Sequence, residues 1–349
     1  MRVLLTGHEG YIGTVLAERL RESGHEVVGL DTGYFAECVL GPAPRPVRAL
    51  RLDLRDVTPE PLAGFDAVMH LAALCNDPLG NLNPDLTYEV NHRSSVRLAA
   101  AARAAGVTRF LFSSSCSLYG AGHGASDDPE DRPFLDENAG FAPVTPYGES
   151  KILAEQGISK LASDDFSPVF LRNATAYGFS PRLRGDIVVN DLTATALLTG
   201  EVKLLSDGRA WRPLIHVEDI AAAFIALLEA PRGVVHGKAY NIAQTSENYL
   251  IRDVAEVVAE VVPGSRVSIA GNASTDKRDY RVSGDLVAAE VPAFKPQWTV
   301  RKGAEQLLEA YQRFGLTETM FAERFLRIRR IQELTGAGRI DGDLRWTDR

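Results

Sequence analysis

The sequence predicts an α/β fold, a doubly wound parallel sheet with a smaller α/β lobe interleaved into it. Three observations carry that expectation. The opening run "RVLLTGHEGYIGTVLAERLRESGHEVVGLD" reads as strand, glycine turn, amphipathic helix and strand. The alternation then continues through "VRALRLDLRD", "FDAVMHLAAL" and "VTRFLFSSSC", three further strand-like runs separated by helical or loop stretches. Finally, 349 residues with 45% apolar and 24% charged side chains are enough for one large unit or two lobes sharing a cleft.

Gly7, Gly10 and Gly13 follow the first strand and open a helix whose core stripe is Ile12, Val15, Leu16 and Leu20. Without side chains there, a pyrophosphate can approach the backbone and sit on the helix N-terminus beside Tyr11 and Ile12. The spacing is G-x-x-G-x-x-G, so it matches the G-x-G-x-x-G dinucleotide fingerprint only in part. Asp31 closes the second strand, where a carboxylate accepts hydrogen bonds from a ribose diol and repels a 2′-phosphate. That selects NAD over NADP; the alternative for Asp31 is a plain turn residue.

Past the third strand, Asp53 stands where a side chain meets an adenine edge, or else it is an N-cap; Leu54 follows it as an expected cofactor contact. "HLAA", His70 to Ala73, sets small residues at a strand's carboxyl end, where ligands of open α/β sheets bind, so Leu71, Ala72 and Ala73 are expected to line the cofactor. His70 reads as a structural histidine. Asn91 opens "NHRSSVRLAAAARAAG" and either ties that helix to the loops below the cofactor or caps it. In "FSSSCSLYG", an apolar run ends in Ser113, Ser114 and Ser115, which by themselves need do no more than satisfy loop backbone groups.

"TPYGESKILAEQ" places Tyr147 and Lys151 four residues apart on one helix face, behind a Thr145-Pro146 start. An ordinary tyrosine pKa is ~10, so a base working near neutrality needs a drop of roughly three units, about 4 kcal/mol. A lysine ammonium on the same face and a positive nicotinamide favour the phenolate.

With the glycine turn, the acidic strand end, the serine-rich strand end and the YxxxK pair in this order, nearly the whole chain resembles the extended short-chain dehydrogenase/reductase family. Within it, the likeness is to the NAD-dependent nucleotide-sugar epimerases and dehydratases, of the UDP-glucose 4-epimerase kind. The resemblance implies a Rossmann-type NAD-binding domain over 1–179 and 213–243. The nucleotide-sugar lobe would comprise 180–212 and 244–349, with a C-terminal helical extension. It also implies that Ser115, Tyr147 and Lys151 are catalytic, with Ser115 hydrogen-bonding the reacting sugar oxygen, and that Ser113 and Ser114 finish the strand and line the nicotinamide pocket. The sugar 4,6-dehydratases carry an Asp-Glu pair after the triad residue; here Cys116-Ser117 stands there, which argues against standard 4,6-dehydration. Cys116 reads as a packed side chain or a direct substrate contact, and Ser117 as a substrate contact.

By the same likeness Asn173 and Asn190 lie near the substrate diphosphate or base, and Arg212, in "GRAWRPLIHVED", grips the diphosphate with a planar fork. In "DKRDYRVSGD", Arg278 would close over the phosphates from the other lobe, with Arg281 as the fallback. His216 and Asp219 read as structural. The last stretch, "ETMFAERFLRIRRIQELTGAGRIDGDLRWTDR", has a helical stripe of Phe321, Phe325 and Ile328; its arginines read as a solvated face, or the segment serves an oligomer contact or covers the site.

The net charge of −8 gives no general attraction to nucleic acid or an anionic membrane, so a small-molecule partner is expected. Cys38, Cys75 and Cys116 are odd in number without metal-ligand spacing, which points to a reducing compartment, no disulfide and no metal. The start "MRVLLTG" has no signal-peptide h-region, and no apolar stretch nears 18 residues, so a cytoplasmic protein is expected. The likeness implies a homodimer. The expected activity is epimerisation of a UDP- or dTDP-hexose, at C4, through a transient keto-sugar. The alternatives are a keto-sugar reductase or dehydrogenase, an atypical sugar-nucleotide dehydratase, and a non-catalytic dinucleotide sensor.

Overall fold

The computed structural model describes residues 1–75, 80, 83–121, 132–274 and 278–348. Its main sheet has seven strands, all parallel. In chain order these are β1 (Arg2–Thr6), β2 (Glu26–Leu30), β3 (Arg48–Leu50), β4 (Ala67–His70), β5 (Arg109–Ser115), β7 (Ser167–Asn173) and β11 (Ala239–Ile242). They lie in the order β11-β7-β5-β4-β1-β2-β3, so the direction of winding reverses beside β1, as in a Rossmann-type sheet. Strands buried on both faces need continuous apolar runs, and β1, β4 and β7 have them: Val3, Leu4, Leu5, Ala67, Val68, Met69, Val169 and Leu171 have no exposed surface.

Three smaller sheets complete the molecule. One joins β8 (Thr175–Tyr177), β10 (Trp211–His216) and β12 (Asn248–Leu250); the others pair β6 (Phe134–Leu135) with β14 (Arg281–Val282), and β9 (Glu201–Ser206) with β13 (Arg266–Ser274). A second apolar cluster forms beneath them, from the helices Val188–Thr199, Ile251–Val261 and Val300–Arg313. Tyr177, Leu214 and Phe325 are buried in it.

Two histidines act as buried braces, as the sequence suggested. His70 bridges Thr6 Oγ1 at 2.7 Å and Ser95 Oγ at 2.8 Å. Burial lowers its pKa to about 3, and the Lys151 charge adds to that, so the ring is neutral. His216 stacks on Trp298 with ring centroids 3.9 Å apart and accepts from the Glu218 amide, while Asp219 accepts from the Gln297 and Trp298 amides.

The C-terminal extension is two helices, Glu318–Arg324 and Arg327–Gly336, and the expectation that its arginines form a solvated face is corrected at Arg327. That side chain is 2% exposed, lies 4.2 Å from the Phe35 ring centroid and donates to the Arg182 carbonyl. The Phe35 ring face and the Arg182 carbonyl together hold the guanidinium indoors.

Candidate active site

A cavity of about 1040 Å³ runs along the carboxyl ends of the main-sheet strands and continues to β10. Its first wall is the glycine turn. Gly7 has φ +74°, and a Cβ there would lie 2.8 Å from the Ala72 amide nitrogen; a Cβ on Gly13 would lie 2.1 Å from the Gly7 carbonyl oxygen. Only glycine permits this close approach of turn, helix and the Leu71–Ala72 backbone. Gly10 is the N-cap of the helix Tyr11–Glu22 and supplies no side-chain cap, so a ligand can use the helix's first amides. Gly7, Gly10, Tyr11, Ile12 and Gly13 all line the cavity.

Asp31 lines the next stretch, its carboxylate accepting from the Glu9 and Gly33 amides at 3.0 and 2.8 Å. Leu54, Leu71, Ala72 and Ala73 line it as well. Asp53 lines the cavity and is the N-cap of the Leu54–Asp56 turn, the second of the two roles the sequence allowed. Its oxygens accept from Arg55 at 2.6 to 2.9 Å, and Arg345 stands 3.7 Å away. Burial pushes its pKa up, but these Arg55 and Arg345 interactions outweigh burial and hold it below the usual range.

Register then assembles the centre. Pairing of β5 with β7 sets Ser115 opposite Asn173. Ser115 caps the turn Cys116–Tyr119, its Oγ accepting from the Ser117 amide and lying 3.1 Å from Ser117 Oγ. The helix Pro146–Ser159 starts at Thr145, which accepts from the Gly148 amide as the sequence predicts. Gly148 lets that helix touch the serine turn: a Cβ would lie 2.8 Å from the Ser117 carbonyl oxygen. Tyr147 and Lys151 face the same cavity as Ser115, and the Lys151 Nζ is 5.7 Å from the Tyr147 ring centroid. Lys151 is 3% exposed and donates to the Ser113 carbonyl at 2.7 Å. Burial lowers its pKa to about 8.

Asn173 is 7% exposed and lines the cavity; its amide nitrogen donates to Ser113 Oγ and the Ser114 carbonyl, and its Oδ1 has no partner. A buried acceptor left open in a cavity wall fits a ligand donor. Arg212 and Arg278 meet at the far end, where Arg212 donates to the Trp211 and Arg278 carbonyls. Arg281 is not in the lining; it stacks between Phe134 and Trp211.

One expected contact, Asn190, is corrected, while Cys116 and Asn91 take the packed and tying roles that the sequence allowed and are not ligand contacts. Cys116 is 1% exposed and outside the cavity, its thiol donating to the Arg172 carbonyl at 3.1 Å; burial pushes its pKa well up, so it is a packed thiol and not a substrate contact. Ser117, the next residue, turns into the cavity instead. Asn91 has no exposed surface and spends its amide on the Leu74 backbone and Ser150, tying the loop after β4 to the tyrosine helix. Asn190 is likewise fully buried, bracing the Gly178 backbone and the Arg184 carbonyl.

Sequence reasoning passed over a polar group in the same wall. Arg184 donates to Asp186 at 2.8 Å and faces Cys75 Sγ at 3.7 Å; Asp191 stands nearby, its pKa pushed up to about 6 by burial and by Asp186. The only pointer was the loop "FSPRLRGD", in which charge sits among proline and glycine. Among the described residues there is no cluster able to hold a metal ion, and no helix is long and apolar enough to cross a membrane.

The family model described as the NAD dependent epimerase/dehydratase family matches residues 3–243. A UDP-glucose 4-epimerase of Mycolicibacterium smegmatis is 28% identical over 325 residues, 89% of this chain and 99% of that one. A UDP-glucose 4-epimerase of Corynebacterium glutamicum is 28% identical over 276 residues, 75% of this chain and 80% of that one. Among solved structures, MoeE5 in complex with UDP-glucuronic acid and NAD superposes with a TM-score of 0.74 at 27% identity, covering 90% and 99% of the two chains. The NDP-hexosamine 5,6-dehydratase TunA shares the fold, with a TM-score of 0.77 at 23% identity over 89% and 98%.

Proposed function

Because this chain belongs to the NAD-dependent epimerase/dehydratase family, we propose that it epimerises a nucleotide-diphosphate hexose, a UDP- or dTDP-sugar at C4. The observation that carries this reading is Ser115, Tyr147 and Lys151 on one cavity wall that continues, in the same cavity, to Arg212 and Arg278. NAD fits the near half: the glycine cradle would admit its pyrophosphate, Asp31 would accept from its ribose, and Asn173 Oδ1 is an open acceptor beside Ser113. Bound there, it supplies a reversible hydride acceptor.

The chain's own residues do the rest. Tyr147 takes the proton of the sugar hydroxyl and later returns it. Lys151, buried with its Nζ 5.7 Å from the Tyr147 ring centroid and still charged at neutral pH, favours the phenolate. Ser115, fixed by the Ser117 amide, hydrogen-bonds the reacting oxygen. Arg212 and Arg278 hold the diphosphate, so remote binding energy positions a sugar that must present both faces in turn. The packed Cys116 leaves no acid or base where dehydratases need one, which favours epimerisation over elimination. Proton NMR of the protein incubated with UDP-, dTDP- and GDP-sugars, without added nicotinamide, tests this. A stereoisomer free of keto or deoxy signals is expected; a product formed only with external nicotinamide would make it a reductase or dehydrogenase.

A further inference from the structure

At one end of the cavity, part of the wall comes from the chain's own C-terminal segment. Leu344, 7% exposed, lines the cavity together with Asp31, Tyr34, Leu54 and Arg55, some 290 to 310 positions away in sequence. Its attachment is extensive. The Leu344 carbonyl accepts from Tyr34 Oη and from Arg55, and Arg55 also donates to the Asp343 carbonyl at 2.6 Å. Trp346 donates its indole N–H to the Thr32 carbonyl at 2.7 Å, and its ring lies 5.8 Å from that of Tyr34. Arg345 pairs with Asp56 and reaches toward Asp53. A bridge between Ile340 and Trp346 turns the segment back on itself, and Ile340 and Leu344 pack with Ile331 and Leu334 of the last helix in a separate apolar cluster.

Leu344 also carries the sole positive φ of any non-glycine residue among those described, +54°. A left-handed leucine is unfavourable, and such conformations persist where surrounding contacts over-determine them. Here those contacts are the Tyr34, Arg55 and Trp346 bonds, and the result is an apolar side chain in the cavity wall.

We propose that residues 339–346 are a strap that retains the bound dinucleotide, with Leu344 as the residue positioned against its adenosine half. The inference rests on reading this cavity as the NAD site. An enzyme that returns its hydride within each turnover has no need to exchange cofactor, so slow release suits the proposed epimerase and would throttle a reductase.

The test uses the full chain loaded with labelled NAD and chased with excess unlabelled NAD. Leu344→Gly is compatible with the positive φ and removes only the side chain. It is expected to speed release by tenfold or more, as is Trp346→Ala, whereas Leu344→Met keeps the release slow. Thermal stabilisation by UDP, which belongs to the other end of the cavity, should be equal in all four proteins. Release rates within twofold of the parent in both Leu344→Gly and Trp346→Ala would overturn the strap while leaving the NAD site standing. Failure of the parent chain to take up NAD at all would overturn both.

Discussion

On the proposed reading, Tyr147 is the acid and base of the reaction. Tyr147→Phe should lower kcat by about 10²- to 10⁴-fold while leaving the binding of nucleotide-sugar, measured by calorimetry, close to the parent's. Lys151 poses a stability question as well as a catalytic one. Its folded pKa, about 8, lies below the ordinary 10.5, so at neutral pH the fold carries a buried charge; stability rises as pH climbs from 8 toward 10.5. At pH 7 that burial costs about 3 kcal/mol, partly offset by the bond to the Ser113 carbonyl. Lys151→Met is therefore expected to abolish turnover without lowering the urea midpoint at pH 7. His70 has the same sign in a lower window: its folded pKa is about 3, so below 6.5 the unfolded chain takes up a proton that the fold refuses, and stability falls with pH. His70→Gln should shrink the stability lost between pH 7 and pH 5 by about 2 kcal/mol relative to the parent, read from urea titrations at the two pH values.

At the scale of elements, the active centre depends on how closely one helix can approach one turn. The helix Pro146–Ser159 begins at a threonine cap and meets the Ser117 carbonyl through Gly148. Gly148→Ala adds helix propensity of up to about 1 kcal/mol, yet its Cβ has no room. It is expected to lower both the melting temperature and kcat, by displacing Tyr147 from Ser115; an unchanged kcat would refute that coupling. Asn91 acts on the same joint from behind, bonding Leu74 and Ser150 at once. It belongs to a π-helical stretch, Tyr88–Arg93, a local widening of the helix that its sequence did not announce.

Across the whole molecule, the cavity draws on segments scattered from Gly7 to Leu344. On the proposed reading, Arg212→Ala should raise KM by about tenfold or more with a smaller change in kcat, because ground state and transition state would share the charge-assisted contact to the diphosphate that it removes. Steady-state kinetics on the sugar identified by NMR measures this.

The local order of strand, glycine turn, helix and acidic strand end is written into residues 2–31, because each depends on short-range periodicity and on where side chains are missing. So are the Thr145 cap and the spacing of Tyr147 from Lys151, which one helical turn sets. Sequence also marked Ser115, Asn173, Arg212 and Arg278, all of which reach the cavity. It did not separate Cys116 from Ser117, since neighbours on a turn face opposite ways and only packing against Arg172 decides which is inside. Nor did it distinguish Asn91 and Asn190, whose amides are consumed by backbone, from Asn173, whose oxygen is left open; hydrogen-bond partners distant in the chain make that difference. The meeting of Leu344 with Tyr34 was settled by tertiary structure alone, because a contact across some 310 residues leaves no periodic trace in either segment.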